Sequence, residues 1–114
     1  MKKRKIIKMK KKKIDHIAFV VDNIKEACSF YSKKLKLDIL FEYKDWALLS
    51  SDEITLALTL KGSHPYHIAV RCETLEEVEE KGDPNTHRDG TISYYEKDGS
   101  GNAIEWIYYP DKKL

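Results

Sequence analysis

The chain has 114 residues, of which 41% are apolar and 35% are charged, and its formal net charge is +2. A chain of this length buries one core of moderate size, so we predict a single globular domain. No apolar run approaches the roughly 18 residues that cross a bilayer, and we therefore expect no membrane-spanning segment.

The positive charge is concentrated at the start of the chain. Residues 1–13 carry nine Lys or Arg and no acid, which leaves 12 basic against 19 acidic side chains, a net charge of −7, in the remainder. This segment lacks the apolar stretch of a secretory signal, so we predict a cytoplasmic protein. A polycation can bind nucleic acid or an anionic surface, but an acidic domain repels the same phosphates. We therefore interpret residues 1–13 as a solvated basic tail and expect no nucleic-acid partner.

The segment that follows the tail carries strand and helix signals in the order β-α-β-β-β. Ile14–Val21 is a continuous β-branched and aromatic run, typical of a strand with little exposure. Asn23, followed three residues later by Glu26, predicts a helix start, and an apolar stripe continues to about Leu37. Three short strand-like runs are predicted next, at 39–43, 46–49 and 54–60.

A second copy of the same unit begins 51 residues later. The letters H-I-A-F at 16–19 return as H-I-A-V at 67–70, and a T-x-x-E pattern at Thr74 starts another helix, which we expect to stop at Gly82. Strands are predicted at 66–72, 91–97 and 103–109. Turn residues around 86–87 predict a short strand there, or none.

The repeat places a histidine at the same position of each unit, and this pattern predicts a metal site. His16 and His67 are equivalent residues of two strands, and Glu105 in the last apolar run is a third candidate ligand. The alternative is structural, because a strand histidine can be a hydrogen-bonded spacer and Glu105 can pair with Arg71 or a lysine. Taken together, the three residues favour a metal.

Several motifs carry a family resemblance. The pattern D-H-I-A, followed by D-N-I-x-E-A-x-x-F-Y-x-x-x-L, the second H-I-A-V and the closing G-N-A-I-E-W resembles the vicinal oxygen chelate superfamily, the glyoxalase/bleomycin-resistance/extradiol-dioxygenase group. The resemblance implies an α+β fold over residues 14–110. Two βαβββ modules, at about 14–61 and 65–109, would form a cupped mixed sheet with helices on the convex face. The superfamily hosts lyases, epimerases, thiol transferases, dioxygenases and metal-free binders, so this fold alone names no reaction.

The resemblance also implies where a metal would bind. It places the ligands on the concave face at His16, His67 and Glu105, and strand alternation allows this placement. The family's fourth ligand position, which carries Glu or Gln in glyoxalase-type lyases and epimerases, falls at Ala57. Two histidines and one carboxylate resemble the facial triad of extradiol dioxygenases and fosfomycin-type thiol transferases, so we expect Mn, Fe, Ni or Zn.

Four further residues are candidates for contact with the substrate: Thr59, Arg71, Tyr95 and Tyr109. By alternation, Thr59 and Arg71 face the concave side. Arg71 can bind a substrate carboxylate or phosphate, or can form a salt bridge at the rim. Tyr95 and Tyr109 can supply a proton or line the pocket, and packing is their alternative role. His87 lies in a predicted loop, where we expect it to be exposed to solvent.

These observations leave open two functions of different classes. The first is a divalent-metal-dependent enzyme acting on a small oxygen-chelating metabolite, by a lyase or dioxygenase-like reaction. The second is a metal-free binding protein of the bleomycin-resistance type, in which Trp46, Trp106 or tyrosines stack on the ligand. In either case we expect a homodimer, because the resemblance implies pairing and a sheet with open edges gains protection from it.

Overall fold

The computed structural model describes residues 12–62 and 64–110. The first module contains β1 (Lys13–Val21), α1 (Ile24–Leu35), β2 (Asp38–Glu42), β3 (Trp46–Ser50) and β4 (Thr55–Leu60). The second contains β5 (His67–Arg71), α2 (Leu75–Glu79), β6 (Asn85–Thr86), β7 (Ile92–Lys97) and β8 (Ala103–Tyr108). All eight strands form one mixed sheet, in the order β2-β3-β4-β1-β5-β8-β7-β6.

The sheet is a pseudo-twofold arrangement of the two modules. β1 runs parallel to β4, and β5 runs parallel to β8, whereas β1 and β5 lie side by side and antiparallel at the centre. This confirms the predicted α+β fold of two βαβββ modules. The arrangement also makes the two histidine-bearing strands direct neighbours, because both lie at the junction between the modules.

Helix α1 begins where the capping pattern predicts. The Asn23 side chain accepts a hydrogen bond from the backbone N–H of Glu26 at 2.8 Å. The helix ends at Leu35, two residues before the predicted end at Leu37, because Lys36 adopts the left-handed conformation with φ of 56°. The backbone N–H of Leu37 then bonds back to the last turn of the helix.

The main core lies between α1 and the first module's strands. Its apolar residues come from one face of the helix, from the connection that follows the helix, and from alternate positions of β3 and β4. They are Ile24, Cys28, Leu37, Ala47, Leu49, Leu56 and Leu58. Because α1 covers this face, the opposite face of the same strands is the concave one, and it is there that the candidate site lies.

Helix α2 covers less of the sheet than α1 does. The Thr74 hydroxyl accepts a hydrogen bond from the backbone N–H of Glu77 at 3.3 Å, which confirms the predicted cap, but the helix ends before Gly82. Val78 is its buried residue, whereas Ile68, on the covered face of β5, remains 44% exposed. The core of the second module is therefore thinner than that of the first.

The strand boundaries agree with the sequence prediction to within one residue, and the segment where a short strand or none was expected forms the two-residue β6. Among the residues that the structure describes, no helix has the length and apolar character needed to cross a membrane.

Strand register sorts the side chains of the concave face into rows. Leu56 and Leu58 point into the core, so Ala57 between them faces the concave side. Ala57 pairs with Ala18, which pairs with His67, and these three form one row across the centre of the sheet. The neighbouring row contains His16, Ala69, Glu105 and Tyr95. The candidate site lies where these two rows cross the junction of the modules.

Candidate metal centre

The three predicted ligands converge on the concave face. His16 Nε2 lies 3.3 Å from His67 Nε2 and 3.5 Å from Oε1 of Glu105, and His67 Nε2 lies 3.2 Å from the same oxygen. His16 and Glu105 stand on either side of β5, and the residue between them in the row is Ala69, which is completely buried. Because the alanine side chain is small, the two longer side chains meet above it.

The spacing and the donor types of this cluster fit a divalent metal ion. Ligand atoms that stand about 2.1 Å from a tetrahedral ion are about 3.4 Å apart, close to the three separations observed. Two imidazole nitrogens and one carboxylate oxygen suit Mn, Fe, Ni or Zn. The side chains of His67 and Glu105 are only 4% and 6% exposed, so the buried carboxylate needs a positive partner, which a metal would provide.

Each histidine is oriented by a hydrogen bond on its other ring nitrogen. His16 Nδ1 lies 2.8 Å from Oδ2 of Asp15. His67 Nδ1 lies 2.8 Å from the backbone carbonyl oxygen of Pro65, which can only accept, so His67 Nδ1 is the donor. Both rings therefore direct Nε2 toward Glu105, as second hydrogen bonds of this kind do for metal-binding histidines.

Two residues that the sequence did not place at the site, Ser93 and His87, lie beside Glu105. The hydroxyl of the fully buried Ser93 hydrogen-bonds the carboxylate. His87 Nε2 lies 2.6 Å from Ser93 Oγ and 3.7 Å from Oε2 of Glu105. The prediction of an exposed His87 was wrong, because the turn after β6 closes with a backbone hydrogen bond from His87 to Thr91 and brings the side chain, 31% exposed, beside the site. Its position just before a predicted strand was the only signal in the sequence.

Mutual hydrogen bonds shift the pKa values of the cluster. Burial by itself would raise the pKa of Glu105, but hydrogen bonds from His16, His67 and Ser93 hold it well below its usual range. Burial by itself would lower the pKa of His16, but hydrogen bonds to Asp15 and Glu105 outweigh burial and raise it to about 9. Without a metal, a positively charged His16 ring therefore lies between two carboxylates at neutral pH.

Arg71 and Tyr109, two of the predicted substrate contacts, both bind Asp15. Arg71 donates from Nη2 and Nε to Asp15 Oδ1 at 2.5 and 3.1 Å, and the Tyr109 hydroxyl donates to Oδ2 at 2.6 Å. Burial opposes ionisation of Asp15, but hydrogen bonds from His16, Tyr109 and Arg71 lower its pKa to about 2. The observed contact is the salt bridge that was the alternative role of Arg71, and contact of either residue with substrate stays a prediction.

Tyr95 lies beside the cluster, and Thr59 lies on the first module's side of it. The Tyr95 ring packs edge-on against His67 with the centroids 5.1 Å apart. Burial, together with the charge of Glu105 and a hydrogen bond to it, raises the pKa of Tyr95, so its hydroxyl stays protonated at neutral pH. Thr59 is 7% exposed, and its hydroxyl donates to the backbone carbonyl of Phe19 at 3.5 Å. Contact of Tyr95 and Thr59 with substrate also stays a prediction.

Strand pairing identifies the first module's equivalent of Glu105. Glu105 pairs with Ala69, and Ala57 pairs with Ala18, and each of these two alanines follows its module's histidine by two residues. Ala57 is therefore the pseudo-symmetric counterpart of Glu105, at the position where the sequence predicted a fourth ligand to be missing. The second module supplies two of the three candidate ligands.

The concave face of the first module ends in exposed aromatic side chains. Strand pairing places Phe41 and Trp46 on this face, with ring centroids 6.1 Å apart, and Tyr43 lies 5.4 Å from Trp46. The three rings are 37–53% exposed. Trp106, the other tryptophan considered for stacking on a ligand, lies on the helix-covered face, where Lys81 Nζ is 4.2 Å from its ring centroid.

Comparison with known proteins agrees with this architecture. The sequence model of the Glyoxalase/Bleomycin resistance protein/Dioxygenase superfamily matches residues 13–106. A search of curated proteins finds no match. Among solved structures, the chain is similar to a hypothetical protein from Bacillus halodurans C-125, with a TM-score of 0.70 and 22% identity over 92% of this chain and 99% of that one.

Two further solved structures are similar in fold. One is methylmalonyl-CoA epimerase from Mycobacterium tuberculosis, with a TM-score of 0.64 and 16% identity over 83% of this chain and 86% of that one. The other is a variant of homoprotocatechuate 2,3-dioxygenase from B. fuscum, with a TM-score of 0.62 and 21% identity over 83% of this chain and 32% of that one. At these identities the likeness concerns the fold alone.

Proposed function

Because the chain belongs to the glyoxalase/bleomycin resistance protein/dioxygenase superfamily, we propose that it is a divalent-metal-dependent enzyme acting on a small oxygen-chelating metabolite. The observation that carries the proposal is the buried triangle of His16 Nε2, His67 Nε2 and Glu105 Oε1, with sides of 3.2–3.5 Å. Proteins similar in fold include an epimerase and a dioxygenase, and we propose a lyase or isomerase reaction, or a dioxygenase-like one, for this site.

In this proposal His16, His67 and Glu105 hold Mn, Fe, Ni or Zn. The metal would supply Lewis-acid stabilisation of negative charge on the substrate's oxygens. Tyr95, whose pKa is raised, keeps its proton and donates a hydrogen bond to Glu105. We assign proton transfer to His87, because it is the remaining imidazole at the cluster and its ring is partly exposed.

The proposal is tested by metal content. Wild-type protein, a His67→Ala variant and a His64→Ala variant are stripped, reloaded in turn with Mn(II), Fe(II), Ni(II) and Zn(II), and measured by elemental analysis. His64 is an exposed histidine outside the cluster and serves as the matched control. We expect close to one metal per chain in the wild type and in His64→Ala, and loss in His67→Ala. No metal in the wild type would overturn the proposal.

The exposed aromatic cluster favours a second candidate function, a metal-free binding protein of the bleomycin-resistance type. Phe41, Tyr43 and Trp46 form an open surface on the concave face, on which a planar ligand can stack. This function would be supported over the enzymatic one by a ligand that binds metal-free protein with unchanged affinity and whose binding is lost in Trp46→Ala.

We also propose that the protein is a cytoplasmic homodimer. Strand β2 is an edge of the sheet, and its residues Ile39, Leu40 and Phe41 are 45–51% exposed, which is a long apolar edge for a monomer to leave open. Cys28 and Cys72 are buried free thiols, as expected in a reducing compartment. Light scattering of wild type and Leu40→Lys tests the assembly, and a monomeric wild type would contradict it.

A further inference from the structure

An irregularity in strand β1 places two consecutive side chains on the same side of the sheet. Ile14 pairs with Val70 and His16 pairs with Ala69, so Asp15 is an extra residue in the ladder. Such a bulge interrupts the alternation that would otherwise send Asp15 and His16 to opposite faces. The consequence is the 2.8 Å contact between Asp15 Oδ2 and His16 Nδ1.

The Asp15 carboxylate is saturated by donors, three of which come from the second module. Oδ1 accepts two hydrogen bonds from Arg71 in β5, and Oδ2 accepts one from Tyr109, directly after β8, and one from His16. The Arg71 guanidinium lies 4.3 Å from the centroid of the Tyr109 ring, so these two donors also contact each other. The side chains of Asp15 and Arg71 are only 9% and 15% exposed. The carboxylate is therefore fixed from both sides of the module junction.

We infer that Asp15 is a positioning residue that fixes the tautomer and the direction of His16, with Arg71 and Tyr109 holding Asp15 in place. This inference rests on the proposed metal-binding function. A neutral imidazole carries one proton, and two carboxylates flank the His16 ring. Asp15 Oδ2 is 2.8 Å from Nδ1, whereas Glu105 Oε1 is 3.5 Å from Nε2, so the shorter hydrogen bond keeps the proton on Nδ1 and leaves the Nε2 lone pair directed at His67 and Glu105.

The two histidines differ in how they are oriented. His67 is oriented by the backbone carbonyl of Pro65, which every residue at that position would offer. His16 is oriented by the side chain of Asp15, and the second module holds that side chain through Arg71 and Tyr109. The His16 side of the site is therefore complete only when the two modules are docked, and Arg71 acts on His16 through Asp15.

The experiment compares wild type with Asp15→Asn, Tyr109→Phe and the control Asp38→Asn, which changes an exposed carboxylate on the distant edge strand β2. The first readout is the His16 tautomer in metal-free, ¹⁵N-labelled protein at pH 10, from long-range ¹H–¹⁵N correlation spectra. We expect the Nδ1–H form in wild type and Asp38→Asn, and a mixture of tautomers in Asp15→Asn. A purely structural role for Asp15 would leave the tautomer unchanged in folded protein.

The second readout is the dissociation constant for Zn(II) at pH 7.5, by competition with a chromophoric chelator. We expect affinity to fall about 10–100-fold in Asp15→Asn, and less in Tyr109→Phe, which removes one donor and keeps the carboxylate. Unchanged tautomer and unchanged affinity in folded Asp15→Asn would overturn the inference. If Asp15→Asn does not fold, Tyr109→Phe decides by zinc affinity: a fall relative to Asp38→Asn supports the inference, and an unchanged affinity overturns it. A wild type that binds no zinc would refute the proposed function, while the tautomer readout would still decide the role of Asp15.

Discussion

Raising the pH from 6.5 to 9 is expected to destabilise the metal-free protein and to strengthen its metal binding. The pKa of His16 is about 9 in the folded protein against 6.5 for a free histidine, because its hydrogen bonds to Asp15 and Glu105 outweigh burial. The folded state therefore binds this proton more tightly than the unfolded state does. The stabilisation is fully present below pH 6.5 and is lost as the pH rises through 9.

The size of the effect follows from the shift of the pKa. Each unit is worth about 1.4 kcal/mol, so the free energy of unfolding of the metal-free protein should fall by about 3 kcal/mol across this range. Metal binding has the opposite dependence, because an ion at Nε2 requires the neutral ring. Below pH 9 the affinity should therefore increase up to about tenfold per pH unit.

Urea denaturation of metal-free protein at half-unit steps of pH measures how the free energy of unfolding depends on pH. Zinc affinity measured over the same range shows how metal binding depends on pH. Calorimetry in two buffers of different ionisation enthalpy counts the protons released on binding, and we expect close to one at pH 7.5. In His16→Gln the stability should no longer depend on pH in this window. A flat stability profile in the wild type, or no proton release, would refute the reasoning.

Three substitutions test other parts of the structure. Ala57→Glu places a carboxylate at the counterpart of Glu105, in a position only 8% exposed. It should destabilise the metal-free protein by at least about 2 kcal/mol and should tighten zinc binding. Denaturation with and without zinc measures both effects. Gly82→Ala should cost about 1–3 kcal/mol, because a Cβ there overlaps the ring of Tyr94. The same substitution should cost much less in a Tyr94→Ala background, and thermal denaturation of the single and double variants tests this. Leu58→Ala in the core should cost about 2–5 kcal/mol in urea denaturation, whereas Leu35→Ala, at a half-exposed site on α1, should change stability by less than about 0.5 kcal/mol.

The candidate ligands could be found from the sequence because they follow local rules. A repeated strand pattern marks His16 and His67 as equivalent, and a period of two assigns each to a face of its strand. The same period applied to β4 separates Ala57 from the buried Leu56 and Leu58. None of these steps requires knowledge of which strands are neighbours.

The environment of those ligands could not be found in this way. Alternation places Asp15 opposite His16, and only the bulge against β5 brings both to one side. His87 lies in a turn whose direction is set by its closing hydrogen bonds and by the strand that follows, so a reading based on polarity alone predicts exposure.

The sequence by itself determined the two modules and their order of strands and helices, because these follow from periodicity and capping within short segments. The family resemblance implied the concave face for the three candidate ligands, and strand alternation allowed this placement. The tertiary structure alone decided that β1 and β5 are adjacent, that Arg71 is bound to Asp15, and that His87 stands beside Glu105. These contacts join residues of separate strands and loops. They depend on register and on the docking of the two modules, and no local pattern of residues encodes either.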